Sequence, residues 1–246
     1  MKPDISIVIP AFDEAARLSG PLQHIFDYLR TVKMNAEVIV ADDGSVDSTS
    51  VVAENEFALH PEIPTRLVRY DANRGKGFAV RAGLVTSQAD IALFSDADLS
   101  TPIEEISKLV EPIKAGDFDL TFGSRALDRS LIGTHQPWRR EQGGKLMNLI
   151  IRKLSGLPFS DTQCGFKAFN MSKFRPLLDV MTIDRFGFDV EFLFVAQHHG
   201  LRLKEIPVRW NNVEGSKVDV FRDTSRMFTE LLQIRKNARQ GLYDLK

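Results

Sequence analysis

Short apolar runs alternating with longer helical patterns constrain this chain more than any other feature. "ISIVIP" (5–10), "EVIVA" (37–41), "TRLVRY" (65–70), "DIALFS" (90–95) and "DLTFGS" (119–124) read as strands, and 14–33, 46–60, 76–88 and 102–115 as helices. Such alternation implies right-handed crossovers, and so an α/β fold whose mainly parallel central sheet carries helices on both faces. After about residue 125 the pattern changes. A basic segment, "HQPWRREQGGKLMNLIIRKL", precedes a strand at "CGFKAFN", a helix near 188–199, a strand near "KEIPVRW" and a charged C-terminal helix. No repeat or low-complexity linker intervenes, so residues 1–246 read as one domain with halves at 1–124 and 125–246.

Composition narrows the classes. With 43% hydrophobic and 26% charged residues the chain can bury a substantial core. No apolar run is long enough to span a bilayer, and the start "MKPDISIVIP" lacks the parts of a signal peptide, which together predict a cytoplasmic protein. The single cysteine, Cys164, excludes an internal disulfide framework and a cysteine zinc cluster; its expected role is packing beside Phe166. The five histidines are scattered, and His198 and His199, adjacent on a helix, cannot share a face. The net charge of −1 conceals an asymmetry: residues 1–120 carry 11 Lys+Arg against 20 Asp+Glu, and residues 121–246 carry 21 against 13. One end is suited to cations and the other to anions. Nucleic acid is not the expected partner, because the basic residues form no binding motif and the acidic half repels a polyanion.

Several acids directly follow strands: Asp13 and Glu14 the first, Asp42 and Asp43 the second, Asp96 and Asp98 the fourth. In a parallel sheet these positions share the edge where open α/β sheets bind ligands. Helix capping accounts for a lone acid. It does not account for both Asp96 and Asp98, since Thr101 with Glu104 offers a capping box and Pro102 fits the first helical position. If the backbone stays extended through 98, the two carboxylates project to one side, and a hard cation, Mg²⁺ or Mn²⁺, offsets their repulsion. Thr101 and Ser107 stand where an EF-hand loop needs Gly and Glu. A cation held by so few carboxylates completes its shell from water and a phosphorylated substrate, which points to a nucleotide diphosphate. Other nucleotide motifs fail by spacing: "NRGKGFAVRAG" has Val80 where the dinucleotide fingerprint needs Gly, and "GGKL" lacks the glycine spacing and final Ser/Thr of a P-loop.

Taken in order, "IVIPAFDE", "DDGSVDST", "NRGKG", "SDADLSTP" and "GSR" resemble the nucleotide-sugar half of inverting family 2 glycosyltransferases with the GT-A fold. "DTQCGFK" (161–167), "FDVE" (188–191) and "EGSK" (214–217) are similar, more narrowly, to dolichyl-phosphate β-glucosyltransferases, with dolichol-phosphate mannose synthases as wider kin. The resemblance implies that Pro10, Phe12, Glu14 and Asp43 hold the base and ribose, with Lys76 also on the nucleotide. It places Asp96, Ala97 and Asp98 at donor and metal, with Asp98 the direct ligand, and Arg125 on phosphate. Arg139 or Arg140 falls in the acceptor segment, and Lys217 on a loop that closes over phosphates. The first half then serves the nucleotide sugar and the second the acceptor. Two positions depart from the mannose synthases: Ser100 replaces a metal-binding glutamine, and Asn212 an arginine.

The implied reaction is direct displacement with inversion, moving a hexose from UDP-glucose, or from GDP-mannose, to a polyprenyl or dolichyl phosphate. A hydroxyl acceptor in a cell-surface glycan would need a general base, with Asp189 and Glu191 the first choices; an anionic phosphate needs none. A nucleotide-sugar binding module without catalysis is the reading from another class. Seven basic residues between 125 and 153 (Arg125, Arg129, Arg139, Arg140, Lys145, Arg152, Lys153) favour the phosphate. The tail "FRDTSRMFTELLQIRKNAR" (221–239) reads as an amphipathic helix that packs on the domain, with peripheral contact to anionic lipid as its second reading.

Overall fold

Side-chain alternation along the strands divides the interior into two apolar cores, one on each face of a single sheet. The computed structural model describes residues 2–134, 138–213 and 220–245. In chain order the first half comprises β1 (Ile5–Ala11), α1 (Ser19–Val32), β2 (Ala36–Asp42), α2 (Thr49–Leu59), β3 (Thr65–Arg69), α3 (Lys76–Thr86), β4 (Ile91–Ser95), α4 (Ile106–Lys114) and β5 (Leu120–Ser124). There follow β6 (Ile132–Thr134), α5 (Trp138–Ser155), β7 (Phe166–Asn170), α6 (Met171–Phe174), α7 (Phe188–His198), β8 (Leu203–Pro207), β9 (Trp210–Asn211) and α8 (Val220–Arg239). Ile5, Ile7 and Ile9 join one core with Leu22, Ile25 and Phe26 of α1 and Leu109, Val110 and Ile113 of α4. Val8, Ile39 and Phe94 join the other with Val80 and Leu84 of α3, Phe188 and Phe192 of α7, and Leu231 and Ile234 of α8. Three- and four-residue spacing puts each helical set on one stripe, and burial of both sheet faces gives the strands their near-continuous apolar sequences.

The strand order is β3-β2-β1-β4-β7-β5-β8. All neighbours are parallel except β7, which runs antiparallel to both β4 and β5. That reversal brings the start of β7 to the carboxyl edge of its neighbours. Ser95 lies opposite Phe166, so "DTQCG" meets Asp96 directly. A separate pair, β6 with β9, is tied to the same edge where Asn211 N–H donates to the Ser100 carbonyl at 2.8 Å.

Three local expectations are corrected. Helix α1 begins at Ser19 instead of 14, because Asp13 adopts a left-handed φ of 51° and Glu14 N–H donates to Thr49 Oγ1, holding 13–18 as a turn. The Thr101–Glu104 capping box does not form: Thr101 Oγ1 lies 3.7 Å from Cys164 Sγ, Glu104 pairs with His24, and Pro102 is extended ahead of a 3₁₀ turn at Ile103–Glu105. Nor does the chain stay extended through 98. Leu99 N–H donates to the Asp96 carbonyl and Leu99 has φ 48°, so 96–99 is a tight turn.

The segment before α7 is held from both sides. Glu191, fully buried, accepts from the backbone N–H of Thr182 and Ile183, from Thr182 Oγ1, and from Tyr243 Oη at 2.7 Å. Glu230 of α8 accepts from Gly187 N–H. The segment in turn receives the Phe78 N–H of α3 on the Asp184 carbonyl. Tyr243→Phe removes a donor to a buried carboxylate and should lower stability by about 1–3 kcal/mol in urea denaturation; an unchanged midpoint would show that the tail is not anchored through this bond.

Candidate active site

The acids that follow β1, β2 and β4 lie at the carboxyl edge, but the structure gives them different tasks. Asp42 is fully buried and accepts from Ser45 N–H and the Ser50 hydroxyl, which shapes the turn into α2. Asp43 accepts from Arg74 N–H, Gly75 N–H and Asn73 Nδ2 at 2.7–2.9 Å and so fixes the "NRGKG" loop. Burial raises its pKa, opposed by those backbone donors. Gly75 has φ 119°, and a Cβ there would collide with the Asp184 carbonyl, so the loop needs glycine. Pro10 is buried one residue before the end of β1, Phe12 is half-buried just beyond the strand, and Glu14 makes a two-point ion pair with Arg17. Arg17 has its pKa raised, chiefly by that bond, and also feels Asp98 and Asp96.

Asp96 is the centre of the arrangement. Its N–H donates to the Gly165 carbonyl at 3.0 Å, and its carboxylate occupies the space that a Cβ on Gly165 would fill. Lys76 Nζ stands 2.6 Å from Asp96 Oδ1. The approach is off the hydrogen-bonding direction, and Oδ1 is a buried oxygen with no hydrogen bond among the described residues. Asp98 accepts Ser100 N–H on Oδ1 and stays half-buried, and Ala97 is buried between the two acids. No group of three metal-type side chains occurs among the described residues. An oxygen-only pair of carboxylates with one unsatisfied buried oxygen nonetheless fits a hard divalent ion that takes its other ligands from water and substrate.

Cations surround these acids. Arg125 binds Asp161 through Nε (2.7 Å) and Nη2 (2.9 Å), while its backbone N–H donates to the same carboxylate. The Arg125 pKa is raised: burial alone would lower it, but Asp161 more than offsets that. Burial works in the opposite sense on Asp161, and the Arg125 charge and donors prevail, taking it down to about 2. Glu205 of β8 accepts from Ser160 N–H, Asp161 N–H and Ser124 Oγ, which fixes that loop against β5. Lys167, fully buried on β7, donates to Asp189 Oδ1 at 2.5 Å and to the Cys164 carbonyl at 2.7 Å. Burial raises the Asp189 pKa, against the lowering charges of Lys167 and Lys76.

The structure thus brings Glu14, Lys76, Asp96, Asp98 and Arg125 to one edge. It assigns Asp43 to loop anchoring and Glu191 to the tail network, so Glu191 is not available as a base. Lys217 lies outside the described residues, as do the side chains of Arg139 and Arg140, whose backbone opens α5. Cys164 is buried, with its thiol pushed up to about 11 by burial first, in keeping with packing and not reactivity. Sequence reasoning missed Arg17, Asp161, Gly165 and Lys167 as parts of the site. "DTQCGFK" was the available signal, but only the antiparallel β7 shows why it matters.

Comparison with known proteins follows the same geometry. A family model described as "Glycosyl transferase family 2" matches residues 6–178. The dolichyl-phosphate beta-glucosyltransferase of Dictyostelium discoideum is 30% identical, covering 98% of this chain and 77% of its own length. Its counterparts in Trichomonas vaginalis (34%; 98% and 73% covered) and Homo sapiens (32%; 98% and 78%) are similar over the same extent. Among solved structures, glucosyl-3-phosphoglycerate synthase from M. tuberculosis in complex with Mn²⁺, uridine diphosphate and glucosyl-3-phosphoglycerate superposes with a TM-score of 0.67 at 20% identity, covering 94% of this chain and 80% of that one. Mannosyl-3-phosphoglycerate synthase from Rubrobacter xylanophilus gives 0.69 at 17%, covering 97% and 75%. At these identities the likeness establishes the GT-A fold.

The Asp161 shift makes an acid-stability prediction. A depressed carboxylate contributes stability that is full above its unfolded pKa and is lost as pH falls through the folded value, here from about pH 4 down through about pH 2. Asp161→Asn should cost on the order of 2 kcal/mol at pH 7 and flatten this acid limb in denaturation profiles; an unaltered pH profile would refute the pairing.

Proposed function

This chain belongs to glycosyl transferase family 2, and on that premise we propose that it transfers glucose from UDP-glucose, with inversion, to dolichyl or another polyprenyl phosphate. The observation that carries the choice of acceptor is the engagement of both acids on α7. Glu191 is saturated by four donors, and Asp189 is bound to a fully buried lysine. Neither is placed to take a proton from a sugar hydroxyl. A phosphate monoester is already anionic near neutral pH and needs no base. The relatives named for dolichyl phosphate, similar over nearly the whole chain, support the same reading.

In this reading the first half, 1–124, holds the nucleotide sugar and the second, 125–246, the acceptor. Pro10, Phe12 and Glu14 border the nucleotide, with Asp43 presenting the loop that carries Lys76. Asp96 and Asp98 would hold Mg²⁺ or Mn²⁺, which when bound would supply positive charge against the departing diphosphate. Arg125 adds a fixed positive field at the same edge, a preorganised term of several kcal/mol in enzymes of this kind, and Lys76 brings a second positive charge beside Asp96. An oxygen of the acceptor phosphate attacks the anomeric carbon from the face opposite the diphosphate. The new carbon–oxygen bond forms as the bond to the diphosphate breaks, and UDP leaves with the electron pair. Arg140 and Lys217 are assigned to the acceptor phosphate and to closure over the phosphates.

Membrane contact follows from the acceptor. No helix among the described residues is long and apolar enough to cross a bilayer. Exposed Phe228 and Leu232 on α8 share a helix with Lys236 and Arg239, and α5 carries exposed Leu149 beside Arg152 and Lys153. These faces suit the surface of an anionic bilayer, where each basic side chain contributes on the order of 1 kcal/mol. Binding to vesicles containing phosphatidylserine should weaken as salt rises, and absence of binding at low salt would remove this role.

A panel of nucleotide sugars, with and without polyprenyl phosphate and followed by mass spectrometry of the lipid, tests the activity. UDP-glucose should give a hexosyl-phosphate lipid and release UDP. Asp98→Asn should abolish turnover while leaving the apo thermal midpoint nearly unchanged, since it relieves like-charge repulsion. Glucose appearing on a glycan hydroxyl, with the lipid phosphate inert, would overturn the assignment.

A further inference from the structure

We propose that Lys76 is an exchangeable counter-ion, whose ammonium stands at Asp96 in the metal-free protein and gives way when metal and donor diphosphate bind together. This inference rests on the reading of Asp96 and Asp98 as metal ligands for a nucleotide sugar.

Three observations carry it. First, the contact is short but poorly directed: Nζ is 2.6 Å from Asp96 Oδ1, and that buried oxygen has no well-directed donor among the described residues. A permanent structural pair would be expected to satisfy its buried oxygen, as Lys167 does for Asp189 and Arg125 for Asp161. Second, Lys76 opens α3, where the helix dipole disfavours a cation, so the Asp96 charge is what retains the ammonium there. Third, the backbone beneath it is fixed while the side chain keeps part of its surface in solvent. Gly75 N–H is bound to Asp43, Phe78 N–H to the Asp184 carbonyl, and Gly77 abuts Phe188. A four-carbon stem on such a base moves its charge without moving the loop.

Charge balance sets the direction of exchange. Asp96, Asp98 and Asp189 all act on Lys76. A divalent ion arriving alone would meet the ammonium at Asp96 and be repelled. A diphosphate arriving with the ion offers the ammonium a new anionic partner, so metal and donor favour each other. The coupling is reciprocal, as binding linkage requires.

The test is Mn²⁺ binding to the full chain, read from the electron paramagnetic resonance signal of free Mn²⁺ with and without UDP. The wild-type protein should bind Mn²⁺ weakly alone and more tightly with UDP. Lys76→Met should bind Mn²⁺ alone about tenfold more tightly than wild type, with UDP adding correspondingly less. Lys76→Gln, a second uncharged variant checked for folding by circular dichroism, should match it, and Lys76→Arg should restore the wild-type weakness. A lysine that only contacts phosphate would leave the affinity for Mn²⁺ alone unchanged and weaken UDP; that result overturns the counter-ion role while the metal reading stands. Failure of wild type and both neutral variants to take up Mn²⁺ even with UDP overturns the metal reading, and this inference with it.

Discussion

Like-charge repulsion at the carboxyl edge of the sheet is the constraint around which the rest of the molecule is arranged. An uncompensated buried carboxylate costs several kcal/mol, so each acid placed there must find donors or cations. Asp42 takes a backbone N–H and a serine hydroxyl, Asp43 an entire loop, Asp161 an arginine fork and Asp189 a buried lysine. These saturated acids build scaffold. Asp96 differs, because one of its oxygens is buried and has only an ill-directed ammonium beside it. The same physics that makes the others structural makes this one the position with unspent capacity for a ligand.

The antiparallel strand β7 explains how the second half of the chain reaches that position. Had β7 run parallel to β4 and β5, its preceding loop would lie at the opposite edge, remote from Asp96. Reversed, it delivers Asp161, Cys164 and Gly165 to the carboxyl edge, where the Ser95–Phe166 register places the Gly165 carbonyl on Asp96 N–H. Glycine is needed at 165 because the Asp96 carboxylate fills the space of a side chain. Lys167, two residues on, then crosses to α7 and binds Asp189. One strand direction therefore joins donor-side acids, Arg125 and α7 in a single site.

Short apolar runs with helical patterns between them made the five leading strands and their helices legible, as they did the α/β class and the shared edge of the acids. What failed was local chemistry decided by distant partners. Thr101 reads as a cap in sequence, but its hydroxyl faces Cys164 from a neighbouring strand connection. Residues 14–18 carry a helical pattern, yet Thr49, more than thirty residues away, holds Glu14 N–H and delays the helix. Asp96 and Asp98 sit in a tight turn and not on an extended strand, so the geometric premise drawn from their spacing does not hold. Helix α5 went unassigned because Gly143 and Gly144 and its basic residues blur the apolar stripe that Ile151 and its neighbours supply. The motif "DTQCGFK" marks position 167, but nothing local distinguishes a lysine that will be wholly buried.

The charge asymmetry acquires its meaning from the topology. The acidic first half and basic second half are interleaved in one sheet, with β7 lying between β4 and β5. A metal-bound diphosphate leaving from one anion and a phosphate arriving as another repel each other, and a site lined by one sign of charge would bind only one of them well. In the proposed reaction, acids toward the metal and arginines toward phosphate would let both be held at one anomeric carbon. Arg125 lies on that boundary: its guanidinium is raised and held by Asp161, yet it also feels Asp96. Fixing its fork on a buried carboxylate removes the entropy it would otherwise lose on meeting phosphate. In the proposed reaction the pair would place a rigid cation where negative charge moves from acceptor to leaving group, which is the step that such a site has to stabilise.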